Sequence, residues 1–285
     1  MYLLGTDCSM SISVLMSVYK SEKADYLARA LRSVWTDQTL KPDEIVLVED
    51  GPLGDELIRV IIDWKSLLRE RLVLLRNDCN LGLTKSLNKG LSVVKSDFIA
   101  RMDSDDISHP LRFERQVRYL KEHPEVSVLG GALQEFDAEH EDLGIRHYPL
   151  TNKDVKSSIC KASPLAHPTV MMRRFIFDNG LRYDERYRTS QDLALWYDVL
   201  CKGYQIGNIK DVTIYFRREG DVFKRRNKRK NTFNEFKIYV NGISRLYGRF
   251  SWRYIYPIAR LMFRLLPVSV VRNIYGSNIR KRILE

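Results

Sequence analysis

Cysteine is scarce and scattered. The chain has four, Cys8, Cys79, Cys160 and Cys201, with no C-x-x-C pair among them. That spacing excludes a structural zinc site and a disulfide-stapled small domain, and reduced thiols in the cytosol are the expected state. No basic N-terminal region leads into an apolar run of roughly 7–15 residues, so no secretory signal is expected; residues 1–10 read as a short leader before the first strand. No internal repeat recurs. Glycine is missing from SVYKSEKAD, the segment that leaves the first predicted strand, so that strand does not run into a glycine-rich phosphate loop.

What is present fits an ordinary globular protein of 285 residues, 44% hydrophobic and 29% charged, long enough for one well-buried domain with or without an extension. The net charge of +11 is unevenly distributed. From Arg218 to the C-terminus there are 17 Lys or Arg against 4 Asp or Glu, so the preceding part of the chain is slightly acidic. A basic segment can face nucleic acid, anionic lipid or an anionic substrate, and charge alone does not choose among them.

Apolar periodicity alternates. Ser11–Val18 is a β-branched run, and Tyr26, Leu27, Ala30, Leu31 and Val34 then recur at spacings of three and four. Strand–helix units follow: Glu44–Val48 with Leu53–Arg69, Leu72–Leu75 with Thr84–Val94, and Asp97–Met102 with Leu111–His123, before a strand at Val126–Leu129. This is the pattern of an α/β domain with a mainly parallel, Rossmann-like sheet flanked by helices. Further on, Thr169–Arg173 and Val212–Arg217 read as strands, and 191–202 and 231–247 as helices. A composition change near residue 220, at the basic cluster Lys224–Lys230, divides 1–220 from a basic, aromatic, helical extension, 221–285.

Such sheets bind ligands beyond the carboxyl ends of their strands, and acidic groups collect there. Asp103-Ser104-Asp105-Asp106, a D-x-D pattern, ends the fourth strand. Hard carboxylate oxygens suit Mg²⁺ or Mn²⁺ bridging to a phosphate; the same residues could equally form a solvated turn or cap the next helix. Asp50, in VEDG, can accept a hydrogen bond from a nucleobase or open a turn with Gly51 and Pro52. Asp192 can cap the 191–202 helix or project into a cleft as a general base. His167, beside Pro168, can touch a ligand or support a strand. Lys85, Arg101, Arg217 and Arg218 can neutralise phosphate or be ordinary surface and packing charges. Asn80, Gly82 and Asn88 suit turn and helix-start geometry.

Six segments in order, SVLMSVYKSE (Ser13–Glu22), DEIVLVEDG (Asp43–Gly51), NLGLTKSLNKGL (Asn80–Leu91), FIARMDSDDISHPLRFERQ (Phe98–Gln116), HPTVMMR (His167–Arg173) and SQDLALW (Ser190–Trp196), resemble the family-2 glycosyltransferases of the GT-A fold, in particular bacterial enzymes of O-antigen and exopolysaccharide assembly. The resemblance spans about residues 11–220. It implies that Tyr19, Glu22 and Asp50 border the nucleoside, with Lys85, Arg101 and Asp106 also on the donor side. It further implies that Asp103 lies by the ribose and diphosphate, that Asp105, with Asp103, binds Mn²⁺ or Mg²⁺, and that Asp192 is the base of an inverting transfer. The family's Glu-Asp pair is Gln-Asp here, but the carboxylate that takes the proton is kept. No Q-x-x-R-W follows it, which implies a single addition rather than polymerisation. The implied donor is a UDP-hexose, galactose or glucose, and the implied acceptor a polyprenyl-diphosphate-linked saccharide that His167, Arg217 and Arg218 could meet.

The tail Phe250–Val271 mixes Trp, Tyr, Phe and Leu with Arg253, Arg260 and Arg264 and is broken by two prolines. It is too charged to span a bilayer but suits an interfacial segment with its arginines toward anionic head groups. Together with the polyprenyl-linked acceptor that the resemblance implies, the expected location is the cytoplasmic face of the inner membrane, held peripherally. A nucleotidyltransferase would want the missing glycine loop. A nucleic-acid binder would leave Asp50, Asp103–Asp106 and Asp192 unexplained, so no nucleic-acid partner is expected.

Overall fold

The computed structural model describes residues 10–137, 142–218 and 229–265. The first nine residues, most of the basic cluster and the end of the tail lie outside the described residues. β1 (Ile12–Val18), β2 (Glu44–Glu49), β3 (Leu72–Arg76) and β4 (Phe98–Asp103) form the parallel half of a nine-stranded sheet, in the order β3-β2-β1-β4. Almost every residue of β1, β2 and β4 is buried, as near-continuous apolar runs require when helices cover both faces. Val14, Met16, Ile45 and Leu47 pack toward α1 (Ala24–Val34), α2 (Asp55–Leu68) and α4 (Arg112–Glu122). Leu15, Val46 and Ile99 point the other way, toward α3 (Leu83–Leu91) and α7 (Gln191–Cys201). Each such side chain, fully buried, adds about 1.5–3 kcal/mol relative to exposure.

Beyond β4 the sheet becomes mixed. β8 (Met171–Arg173) lies antiparallel between β4 and β6 (Val126–Phe136), β9 (Gln205–Arg217) runs parallel to β6, β5 (Ile107–Ser108) pairs with β9, and β7 (Asp142–Arg146) pairs with β6. β6 and β9 are longer than their apolar runs suggest, because polar residues and glycines interrupt both patterns. The glycines have a packing cause: a Cβ on Gly130 would stand 2.1 Å from Asn208 Oδ1, and one on Gly131 2.4 Å from Thr213 Cγ2. Close strand approach requires glycine there. Short β5, β7, α5 (Asn152–Ser158) and α6 (Phe175–Asp178) carry too few residues for a periodic signal.

The extension is helical in its described part. α8 (Arg229–Tyr247) buries Ile238, Tyr239 and Ile243 in the same cluster as Leu193, Trp196 and Tyr197 of α7, and α9 (Ile255–Leu265) lies against α8. No helix among the described residues is long and apolar enough to cross a membrane. The described cysteines, Cys79, Cys160 and Cys201, are free thiols.

Candidate active site

Strand register brings the first group of residues to one edge. Val18 pairs with Glu49, and Ser17 with Asp103, so Tyr19, Asp50 and the Asp103–Asp106 loop all leave the sheet at the same end. Asp50 is buried, and its carboxylate accepts from Asn77 Nδ2 (3.0 Å) and from the backbone N–H groups of Leu81 (2.8 Å) and Gly82 (2.9 Å). It therefore ties the 79–82 loop to the start of α3. Only one donor reaches Oδ2, which leaves acceptor capacity on that oxygen. Gly51, at φ +91°, stands where a Cβ would lie 2.7 Å from Asn80 N, so the loop closes only over glycine. Tyr19 is half exposed. Glu22 spans two elements, accepting from Lys23 N (2.9 Å) and from Ser104 Oγ (2.6 Å), which binds the β1–α1 loop to the acidic one.

The acidic loop sits on buried cations. Arg101, 2% exposed in β4, holds both oxygens of Asp103, one through Nη1 at 2.5 Å and the other through Nη2. Arg112, fully buried below it, donates to the carbonyls of Arg101 (2.8 Å) and Val170 (3.2 Å). Arg217, buried at the end of β9, donates its backbone N–H to Asp106 Oδ1 (2.9 Å) and its Nε–H to the Asp105 carbonyl (2.9 Å). Its guanidinium lies between the rings of Tyr26 (3.8 Å) and Phe136 (4.7 Å). Arg217 thus holds the acidic loop from behind. The β5–β9 pairing, Ile107 with Tyr215, makes that reach possible.

Ligand oxygens of Asp103, Asp105 and Asp106 lie within 4.8 Å of one another. Burial and the charges of Asp103 and Glu22 push Asp105 up to about 7. Burial and the neighbouring carboxylates raise Asp106 well above the usual carboxylate range, and its Oδ2 is buried with no hydrogen-bond partner. Crowded, partly orphaned carboxylate oxygens fit a hard divalent cation. Asp105, whose side chain pairs with no arginine among the described residues, is the most available ligand, with Asp103 and Asp106 beside it.

Asp192 is half-buried in the first turn of α7. Burial raises its pKa, while the Leu193 backbone N–H and Arg101 pull it down. Tyr183 feels the charges of Arg101, Asp192 and Asp103, and Asp192 in turn feels those of Arg101 and of Glu235 on α8. The turn into this helix is strained: Ser190 has φ 58° and ψ 24°, a left-handed conformation uncommon outside glycine. Tyr183, for which the sequence offered no signal beyond its aromatic type, is fully buried beside this group. Its hydroxyl meets His167 Nε2 at 2.8 Å.

Other candidates sit elsewhere. His167 is buried, edge-on to Tyr183 and Trp196, and supports the site from beneath. Lys85 is exposed on α3 and makes no hydrogen bond or ion pair with the site's carboxylates. Arg218 is drawn to Glu135 (3.5 Å) on β6, away from the acidic loop. Asn88 caps the Tyr183 backbone in both directions, at 2.8 and 3.0 Å, a structural role.

The sequence profile described as "Glycosyl transferase family 2" matches residues 13–181. The chain is 35% identical over 266 residues to the amylovoran biosynthesis glycosyltransferase AmsE of Erwinia amylovora, covering 93% of this chain and 98% of that one. It is 31% identical over 277 residues to the UDP-Gal:alpha-D-GlcNAc-diphosphoundecaprenol beta-1,3-galactosyltransferase of Escherichia coli, covering 97% and 99%. Among solved structures, S. aureus TarS 1-349 in complex with UDP superposes with a TM-score of 0.65 at 16% identity, covering 91% of this chain and 76% of that one. The fold is GT-A.

Proposed function

The chain belongs to glycosyl transferase family 2, and on that premise we propose an inverting, metal-dependent transfer of a hexose, galactose or glucose, from a UDP-sugar to a hydroxyl of a polyprenyl-diphosphate-linked saccharide. The reaction serves O-antigen or exopolysaccharide repeat-unit assembly at the cytoplasmic face of the inner membrane. The observation that carries this reading is the three-carboxylate cluster at the end of β4, with Asp106 Oδ2 buried and unpartnered; Asp192, at the start of α7 and under the influence of Arg101, supports it. The donor and lipid-linked acceptor follow the E. coli relative's name; residues 1–220 form the catalytic domain and 221–285 its membrane-side extension.

Asp105, with Asp103 and Asp106, would hold Mn²⁺ or Mg²⁺, which when bound supplies positive charge to the diphosphate leaving group. Asp50 Oδ2 accepts from the nucleobase, Tyr19 borders the nucleoside, and Glu22 fixes the loop between them. Asp192 removes the acceptor hydroxyl proton as that oxygen bonds to the anomeric carbon. The anomeric carbon–phosphate oxygen bond breaks with its electron pair on UDP, so the anomeric centre inverts. Arg101 and Arg217 hold the acidic loop in register during this step.

A panel of UDP-, GDP- and dTDP-sugars, with Mn²⁺ present or chelated, tests the reading with synthetic lipid-diphosphate saccharides as acceptors. Metal-dependent hexosyl transfer from a UDP-sugar supports it. Transfer that survives chelation, or none from any UDP-hexose, rejects it.

A further inference from the structure

The arginines of the tail do not point outward. Arg260 Nε lies 3.4 Å from Glu235 on α8, its Nη1 donates to Tyr239 Oη (3.1 Å) and the Lys161 carbonyl (2.9 Å), and Arg264 is hydrogen-bonded to the same Glu235. Arg253 stacks on Tyr247 at 4.3 Å and Trp252 at 5.3 Å. Arg260 and Arg264 thus fasten α9 to α8 rather than standing free toward head groups.

The opposite face is apolar and uncovered. Ile255 (60%), Ile258 (47%), Met262 (67%) and Leu265 (47%) are exposed, at spacings of three, four and three that place them on one stripe of α9. Trp252 (65%) and a fully exposed Phe250 extend it at the N-terminal end. A surface helix of a globular protein ordinarily turns its apolar stripe to the core; here the core-facing side holds Pro257 and Leu261 together with Arg260 and Arg264, and a second apolar stripe faces out.

We propose that this outward face of α9, with Phe250 and Trp252, lies in the interface of an anionic lipid bilayer. Charge selects the occupant. In sequence, Lys224, Arg225, Arg226 and Lys228 precede α8, and Arg272, Arg280, Lys281 and Arg282 follow α9, so this part of the chain carries a strong positive excess. These charges attract acidic head groups and would repel a second copy bearing the same excess. The stripe itself runs about 15 Å along an 11-residue helix roughly 10 Å wide, an area well short of the roughly 800 Å² per partner of a stable protein interface. An in-plane helix with aromatic residues at one end, in a strongly basic stretch of sequence, is the form that such binding takes. The proposal rests on the reading above, in which the acceptor is anchored in a membrane by its polyprenyl chain, and it supplies the surface that brings the cleft to that chain.

Vesicle co-sedimentation of the full chain tests it, with phosphatidylcholine vesicles with and without phosphatidylglycerol, beside analytical ultracentrifugation without lipid. Binding is expected to the phosphatidylglycerol vesicles, to weaken with salt, and to fall about tenfold or more in Ile258→Asp/Met262→Asp. That variant should keep its circular dichroism and its UDP affinity. Absence of wild-type binding, unchanged binding of the variant, or a dimer that the variant dissolves would each overturn the proposal. UDP affinity read on the same samples reports separately on the transferase reading.

Discussion

Asp192 is under two opposed demands. Burial raises its pKa, so ionising it inside the fold is unfavourable, yet a base must be ionised to take a proton. The sign follows: with the folded pKa above the unfolded one, the charged side chain lowers stability at pH values above about 4. Asp192→Asn should therefore reduce transfer by about 10²–10⁴-fold while leaving the melting temperature unchanged or higher; a parallel loss of both would mean that the residue is structural. His167 has the opposite profile. Buried beside Arg101, it is held well below its usual pKa, so the unfolded chain takes up a proton that the folded chain refuses. Stability should fall as pH drops below about 6.5. His167→Asn should weaken the fold at neutral pH, by losing the Tyr183 contact, and also flatten that acid-side slope. Urea midpoints measured between about pH 7 and pH 5 read both effects.

The element that matters most to the site is α7, whose residues are nearly all buried. Its rigidity depends on α8, and the contact is close: a Cβ on Gly242 would stand 2.3–2.5 Å from three ring atoms of Tyr197. A buried aromatic ring has nowhere to move. Gly242→Ala should cost about 1–3 kcal/mol, lowering the melting temperature by several degrees and reducing transfer through displacement of α7. An unchanged thermal midpoint would show that the two helices separate easily. The β6–β9 pair acts in the same way on the other side, since it delivers Arg217 to the back of the acidic loop.

The whole molecule is a set of strand ends closed by loops that carry charge, so ligand and metal should stabilise it together. At 100 times its dissociation constant, UDP with Mn²⁺ adds about 2.7 kcal/mol through linkage, a rise of about 4–5 °C in melting temperature for a chain of 285 residues. Chelation should remove most of that rise, and Asp105→Asn should abolish it without altering the melting temperature of the ligand-free protein downward. Full UDP stabilisation in the chelated protein would separate nucleotide binding from the carboxylate cluster.

Apolar periodicity by itself determined the parallel half of the sheet, its helices, and the edge on which Asp50 and Asp103–Asp106 emerge, because each is a local strand–helix signal in which residue order dictates position. It also marked α7 and placed Asp192 at its start. Only the tertiary structure decided which cations hold which carboxylates: Arg101 on Asp103, Arg217 behind Asp105 and Asp106, and Arg218 turned away to Glu135. Those outcomes depend on pairings across as many as 112 residues, and no periodicity within a strand encodes its distant neighbour. The same limit governs the tail, where composition shows arginines and aromatics together. Glu235, some 25 residues upstream of Arg260 in sequence, turns the arginines inward and leaves the apolar stripe facing out.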